Sequence, residues 1–472
     1  MSATPFYLAG EARTSDDIRE ICSPWDGRVV ARVCWANGSL LTEAIDKAYA
    51  ARPLMAELSA HQRASILERV RSLVSESIHE LALEITHEAG KPIRTATAEV
   101  ARALDTLTDA AFAARQAMGQ LEPVDAYGPG EGRVALCTRV PKGVVSAITP
   151  FNFPFNLVMH KVAAAVAAGC PIVVKPAPET PSSALSIARM FQQAGLPEGA
   201  LSVLPLDVDQ ADALTQDCRL AILSFTGSGA VGWRLKARAV HMNALLELGG
   251  NAGNLVCADA DLDHAAARLV AGAFGYAGQS CISVQRVFVE ASVHDALLEK
   301  IVARTQALGC GNPMQADTVV GPLIRSRDAD RVMAAIAAAV EAGGVVHTGG
   351  TREGQVVHPT VLTGVPREAA VVATEIFGPV LVLEAVDTFE DGLTAIDASP
   401  YGLQAGLFTD SVSRVLQAQR DLEVGAIVHD DCSTFRVDGM PYGGVKGSGI
   451  GREGPRHLVW ELTEPRLVIL RR

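Results

Sequence analysis

None of the nine cysteines has a partner at Cys-x-x-Cys spacing. They are scattered singly at positions 22, 34, 137, 170, 218, 257, 281, 310 and 432. An odd count without pairs speaks against a disulfide framework and a structural zinc site, so no metal is expected. Positive charge is also scarce. Lys and Arg number 41 against 53 Asp and Glu, a net charge of −12, whereas phosphate neutralisation needs clustered cations, so a nucleic-acid partner is not expected. No apolar run reaches the ~18 residues that a bilayer span requires; stretches such as Val162 to Ala168 are short and Ala-rich, as buried helices are. The opening Met-Ser-Ala-Thr-Pro-Phe-Tyr has neither a basic n-region nor an apolar h-region, so no secretory signal is expected. Repeats of 20–50 residues and low-complexity tracts are missing too. These absences predict a cytoplasmic protein with reduced thiols and no membrane partner.

With 472 residues, 49% hydrophobic and 20% charged, the chain can form a large core in two or three domains. Residues 1 to 40 read as short strands and turns. From Thr42 to Met118 the pattern is helical, with one helix over Leu58 to Val74, a break at Gly90-Lys91-Pro92, and another over Thr95 to Met118 that carries Glu99 and Arg102. Arg133 to Val140 reads as a strand in a hairpin that leaves the domain. Val144 to Thr149, Pro171 to Lys175, Leu201 to Leu204, Leu220 to Phe225 and Ala244 to Glu247 read as apolar strands separated by helices, including one over Phe155 to Ala168. Such alternation predicts a parallel, doubly wound α/β sheet that binds ligands at the carboxyl ends of its strands. A second α/β region follows over 251–440, and Pro465 to Leu470 reads as an exposed apolar edge strand, which invites pairing with another subunit.

The stretch Phe274-Gly-Tyr-Ala-Gly-Gln-Ser-Cys-Ile-Ser283 surrounds Cys281 with small residues. A core cysteine packs among bulky apolar groups; a nucleophilic one needs access, and Cys281 is read as a nucleophile. Phe225-Thr-Gly-Ser-Gly-Ala-Val-Gly232 follows a strand, opens a helix and matches Gly-x-Gly-x-x-Gly, whose backbone N–H groups hold a pyrophosphate. Glu247, in Leu245-Leu-Glu-Leu-Gly-Gly250, fits either a ribose-binding acid or a general base. Asn152, in Pro150-Phe-Asn-Phe-Pro154, fits an oxyanion donor or a helix cap. Lys175, at a strand end, reaches a ribose or phosphate or is a solvated charge. His160 and His429, without a cluster of partners, read as hydrogen-bonding residues rather than catalysts.

Phe151-Asn-Phe-Pro, Val174-Lys-Pro, Phe225-Thr-Gly-Ser, Leu246-Glu-Leu-Gly-Gly with Gly278-Gln-Ser-Cys, and Glu375-Ile-Phe-Gly-Pro occur in this order. In that combination the chain resembles the NAD(P)-dependent aldehyde dehydrogenase superfamily over essentially its whole length, on the lactaldehyde and anionic-aldehyde side. The resemblance implies a Rossmann-type cofactor domain (1–122 and 142–250), an α/β catalytic domain (251–442) and an oligomerisation arm (123–141 and 455–472), in a homodimer or homotetramer. It places the nucleophile on Cys281, the general base on Glu247, which displaces the ribose role, the oxyanion donor on Asn152 and a conserved helix lysine on Lys161. Contacts to NAD or NADP fall on Thr149, Pro150, Phe151, Lys175, Pro178, Gly227, Ser228, Gly232, Leu248, Glu375 and Phe377. Substrate contacts are expected at Arg102, Arg436, His160 and Ser280, the two arginines favouring an anionic tail or serving as salt-bridge partners. The activity implied is oxidation of an aldehyde to an acid through a thioester.

Four positions depart from the common pattern. Pro178 stands where NAD-preferring members often carry Glu, which weakens the case for strict NAD use. Gly229 replaces a common Thr, His429 a usual Asn, and Ser280 the Arg of phosphate-reading relatives. Two other activities compete: a CoA-acylating dehydrogenase, disfavoured by Glu247, and a cofactor-independent thiol esterase, disfavoured by the βα units and the Gly227 loop. A purely structural role would be expected to dispense with Cys281 or Asn152.

Overall fold

A computed structural model of the chain describes residues 2–116 and 119–472. Its first sheet has eight strands in the order Glu11–Arg13, Phe6–Leu8, Leu201–Val203, Ile172–Lys175, Val144–Ile148, Leu220–Thr226, Asn243–Glu247, Gly449–Ile450. The five from Leu201–Val203 to Asn243–Glu247 are parallel, and both ends are antiparallel. Strand order reverses at Val144–Ile148: the next strand in the chain lies on one side of it and Leu220–Thr226 on the other. A crevice opens beyond the carboxyl ends at such a switch point. The second sheet orders Val345–Thr348, Thr360–Thr363, Val380–Val386, Arg286–Glu290, Gly253–Val256, Gln404–Phe408 and Ala426–His429, all parallel except the first.

Both sheets are covered by helices, so their central strands are buried on both faces and mostly apolar. Ile172–Lys175 and Gly253–Val256 are buried at every residue. The helix Asn156–Ala168 is buried on all sides between the first sheet, Ile93–Arg115 and Pro455–Leu462, which explains its run of alanines. It ends at Gly169, whose φ of 79° lies in the left-handed region that glycine adopts freely.

The predicted helical stretch from Thr42 resolves into five helices, Gly38–Ala50, Arg52–Glu57, Ala60–Glu76, Ile78–Ala89 and Ile93–Arg115; positions 117 and 118 lie outside the described residues. The helix expected from Leu58 starts later because Ser59 caps it in a reciprocal box with Gln62. Gly90 (φ 63°) ends one helix and Pro92 precedes the next, at the expected break. Three strands of the second sheet, Gly253–Val256, Val345–Thr348 and Thr360–Thr363, carry too few residues to show a period. Arg133–Pro141 pairs with Gly119–Glu122 on one side and along its whole length with Thr463–Arg471 on the other. Pro455–Leu462, ahead of that last strand, is a helix whose Leu458, Val459 and Leu462 join the first core. No helix among the described residues is long and apolar enough to cross a membrane.

Candidate active site

The carboxyl ends of the parallel strands deliver Thr149, Lys175, Gly227, Ser228 and Glu247 to one cavity of about 740 Å³. Its wall also includes Pro150, Phe151, Asn152, Pro178, Leu248, Ser280, Cys281, Glu375, Phe377, Arg102 and Arg436. Three expected contacts lie behind that wall. Gly232 packs beneath Leu248 and Phe225, where a Cβ would overlap Leu248, so it serves helix–strand packing. Lys161 and His160 are buried within their helix.

Cys281 arrives on an unusual backbone. After the helix Leu262–Phe274, Tyr276, Ala277 and Gly278 all have positive φ, at 53°, 54° and 67°. Left-handed non-glycine residues cost on the order of 1–3 kcal/mol each and persist only where surroundings hold them. Here the amide side chain of Gln279 does so, accepting from Ile324 N–H at 3.0 Å and donating to Pro322 O at 3.3 Å. A Cβ on Gly278 would overlap the carbonyl of Gly378. The turn leaves Cys281 half-buried, its Sγ 2.9 Å from Tyr442 Oη. Burial pushes the thiol up to about 12, against an opposing hydrogen bond from Tyr442 and the charge of Arg436.

Glu247 lines the same cavity as Cys281. Its Oε2 is buried without a hydrogen-bond partner. Burial, and next the charge of Glu453, raise its carboxyl well above the usual range, giving it greater proton affinity than a solvated carboxylate. Gly249 and Gly250 let its chain pass: a Cβ on the first would overlap the Glu375 carboxylate, and one on the second would sit 3.0 Å from Cys281 O.

Asn152 is held from two sides. Its side-chain amide donates to Gln279 O at 3.0 Å and its carbonyl accepts from Lys91 Nζ at 2.9 Å. Lys91 pairs with Glu99 at 2.6 Å, both side chains fully buried, and lies over the Phe153 ring at 3.4 Å. Glu99 in turn accepts the N–H groups of Phe155 and Asn156. The sequence placed Lys91 in a helix break and Glu99 on a helix; their pairing behind Asn152 was not visible there.

Opposite Cys281 lies a charged cluster. Arg102 forks onto Asp438 at 2.9 and 2.8 Å. His160 Nε2 shares the same carboxylate at 2.9 Å, so His160, expected at the substrate, instead braces Asp438 from behind. Although burial opposes it, His160 and Arg102 hold the Asp438 carboxyl well below the usual range. Arg436 is partly buried, pairs with Glu453 at 3.3 Å and stacks on the Tyr442 ring at 3.8 Å. Lys161 donates to Ser224 and Glu453, both at 3.0 Å. Against the pull of burial, Lys161, His160 and Arg436 bring Glu453 down to about 2. Tyr442, Glu453 and Asp438 are the site residues that the sequence did not signal.

The aldehyde dehydrogenase family model matches residues 11–468. The chain belongs to the aldehyde dehydrogenase family. It is an NAD(P)-dependent oxidoreductase that acts on aldehyde groups. The chain is 38% identical over 465 residues to a 3-sulfolactaldehyde dehydrogenase of Priestia aryabhattai, covering 98% of this chain and 97% of that one. Among solved structures it is similar to aldehyde dehydrogenase 21 of Physcomitrella patens in complex with the reaction product succinate (TM-score 0.98, 38% identity, 100% and 99% covered). It is also similar to the glyceraldehyde-3-phosphate dehydrogenase of Methanocaldococcus jannaschii complexed with NADP (TM-score 0.93, 34% identity, 98% and 100% covered).

The cavity of this dehydrogenase has the donors a dinucleotide requires. Thr149 and Thr226 present buried hydroxyls without partners. The buried Lys175 amine has only a marginal contact, at 3.5 Å to Pro176 O, and Glu375 offers a carboxylate raised to about 7 by burial. The Phe151 and Phe377 rings meet edge to face at 5.9 Å. Pro178 offers no carboxylate to the cavity, and the next residue, Glu179, is tied to Arg325.

Proposed function

We propose that this dehydrogenase oxidises a small hydroxylated or anionic aldehyde to its acid, with Cys281 as nucleophile, Glu247 as general base and Asn152 as oxyanion donor. The observation that carries the substrate class is the charge beside Cys281. Arg102, Arg436 and Lys161 supply three cations against the two carboxylates of Asp438 and Glu453. Arg102 and Arg436 both line the cavity, where a guanidinium can fork onto a carboxylate, sulfonate or phosphonate tail. The sulfolactaldehyde and succinate in the names of similar proteins accord with this.

The residues divide the reaction as follows. The thiol proton of Cys281 passes to Glu247 or water as sulfur attacks the carbonyl carbon. The carbonyl electron pair moves onto oxygen, which Asn152 Nδ2 and the Cys281 N–H stabilise; one such donor is typically worth about 3 kcal/mol. Lys175, Ser228 and Glu375 hold the dinucleotide, whose chemistry when bound is to accept a hydride. Loss of hydride leaves a thioester on Cys281. Glu247, once any thiol proton it took has passed to solvent, accepts a proton from water, the hydroxide adds to the thioester, and the thiolate departs. Aldehyde, oxidised cofactor and water thus become carboxylate, reduced cofactor and two protons. The unpartnered Glu247 Oε2 favours hydrolysis over transfer to CoA.

Arg436→Ala tests the anion site. With NAD or NADP and absorbance at 340 nm, KM for a carboxylate- or sulfonate-bearing aldehyde is expected to rise roughly 10- to 100-fold, the worth of one charge-assisted hydrogen bond. KM for propanal should change little, and an equal rise for both would remove Arg436 from the tail.

We assign residues 1–122 and 142–250 to the cofactor part, 251–442 to the catalytic part, and 123–141 with the C-terminal strand to an oligomerisation arm, within a cytoplasmic homodimer or homotetramer. In support, Leu467, Val468, Ile469 and Leu470 are about half exposed on an edge strand. In sedimentation equilibrium, Leu467→Asp/Ile469→Asp is expected to lower the mass to that of one chain; an unchanged oligomer would reject this surface.

A further inference from the structure

Tyr442 is buried with its Oη 2.9 Å from Cys281 Sγ, and it belongs to no part of the reaction described above. The phenol contacts the atom that must carry negative charge when it attacks. Its ring lies under the Arg436 guanidinium at 3.8 Å, and a cation on the π face draws electron density from the ring. Tyr442 follows Pro441 in the segment leading to Glu453, whose carboxylate receives both Arg436 and Lys161. The chain therefore fixes the ring between the positive cluster and the nucleophile.

From this geometry we propose that Tyr442 is a further catalytic residue, which donates its O–H to the Cys281 thiolate and stabilises it during attack. The inference rests on the reading of Cys281 as nucleophile. The proton balance is simple: the thiol proton leaves to Glu247 or solvent, and Tyr442 keeps its own. It can do so because burial, and then the neighbouring Cys281, raise the phenol well above its ordinary value. The charged or titratable groups acting on the sulfur are Tyr442, Arg436, Glu375 and Glu247. Tyr442 and Arg436 favour the thiolate and the two acids oppose it.

The test measures alkylation of Cys281 by iodoacetamide against pH, located by peptide mass, in the wild-type chain and Tyr442→Phe. It requires neither aldehyde nor turnover. Losing one hydrogen bond to a charged acceptor raises the apparent thiol pKa by roughly one to two units. A thiolate of higher pKa is also more nucleophilic, with a Brønsted coefficient of about 0.4–0.5, so part of the loss is offset. At a fixed pH near neutrality the alkylation rate should fall roughly 3- to 15-fold, and the alkaline limb should move to higher pH. Unchanged NADP binding, followed by protein fluorescence, shows the variant to be folded; if it is not, Tyr442→Leu carries the same expectation. An equal or faster rate in the variant overturns the proposal for Tyr442. If wild-type Cys281 is not alkylated at any pH at which the chain stays folded, the nucleophile reading fails instead.

Discussion

Cys281→Ser is expected to lower kcat/KM for every aldehyde by a factor on the order of 10⁵, about 7 kcal/mol of barrier. The dissociation constant for NADP should stay the same. The loss is so large because a serine hydroxyl at this position has no adequate base. Glu247 is suited to a thiol, and the low-polarity wall that already pushes the thiol up to about 12 penalises an alkoxide far more. Cofactor binding survives because Lys175, Ser228 and Glu375 are on other segments of the cavity wall. Single-turnover absorbance at 340 nm with fluorescence titration separates the two effects. Retained turnover in the serine variant would move the chemistry to another residue.

Glu247→Gln is expected to split the reaction in two. Reduced cofactor should form in a burst approaching one per site, since hydride transfer needs no base once sulfur has attacked. The burst should be slower than in the wild type at neutral pH. It should speed up as pH rises, because the thiol proton must then go to solvent and the thiolate fraction of a high-pKa sulfur grows with pH. Steady-state turnover should fall roughly 10²- to 10⁴-fold, the usual contribution of a positioned general base. Intact mass after quenching should show the acyl group on the protein. Normal steady-state turnover in this variant would remove Glu247 from hydrolysis.

The contrast between Cys281 and Tyr442 explains what could be read from the chain alone. Cys281, Glu247, Asn152 and the Gly227 loop each announce themselves locally, through small neighbours or a strand end followed by glycine. The convergence of Glu247, Asn152 and the Gly227 loop follows once the strands are known to be parallel, since their carboxyl ends then face one crevice, whereas Cys281 comes in from the turn after Leu262–Phe274. Tyr442 stands 161 residues from Cys281, and Glu453 lies 292 residues from Lys161. In Gly-Arg-Glu-Gly the latter looks like a solvated loop acid. Its meaning comes only from two cations, Lys161 and Arg436, converging on it in the fold. Lys91 and Glu99 were obscured differently: a fully buried ion pair is rare enough that sequence reading assigns such residues to solvent. His160 was misplaced because a helix buried on every side offers no polar face by which to orient a side chain. Gly232 satisfied a phosphate-loop spacing, yet the third glycine of that motif also serves close helix–strand packing, and that is its role here.

The short antiparallel pairing of Gly449–Ile450 with Leu246 and Glu247 bears on how this enzyme can diversify. It staples the segment carrying Arg436, Tyr442 and Glu453 directly to the strand that ends in Glu247. Positions upstream of that staple, around 433–440, can change which tails are admitted while the strand carrying Glu247 keeps its register. Changes across 448–453 would disturb both at once. Selectivity and deacylation are thus separable inheritances, divided at one two-residue seam.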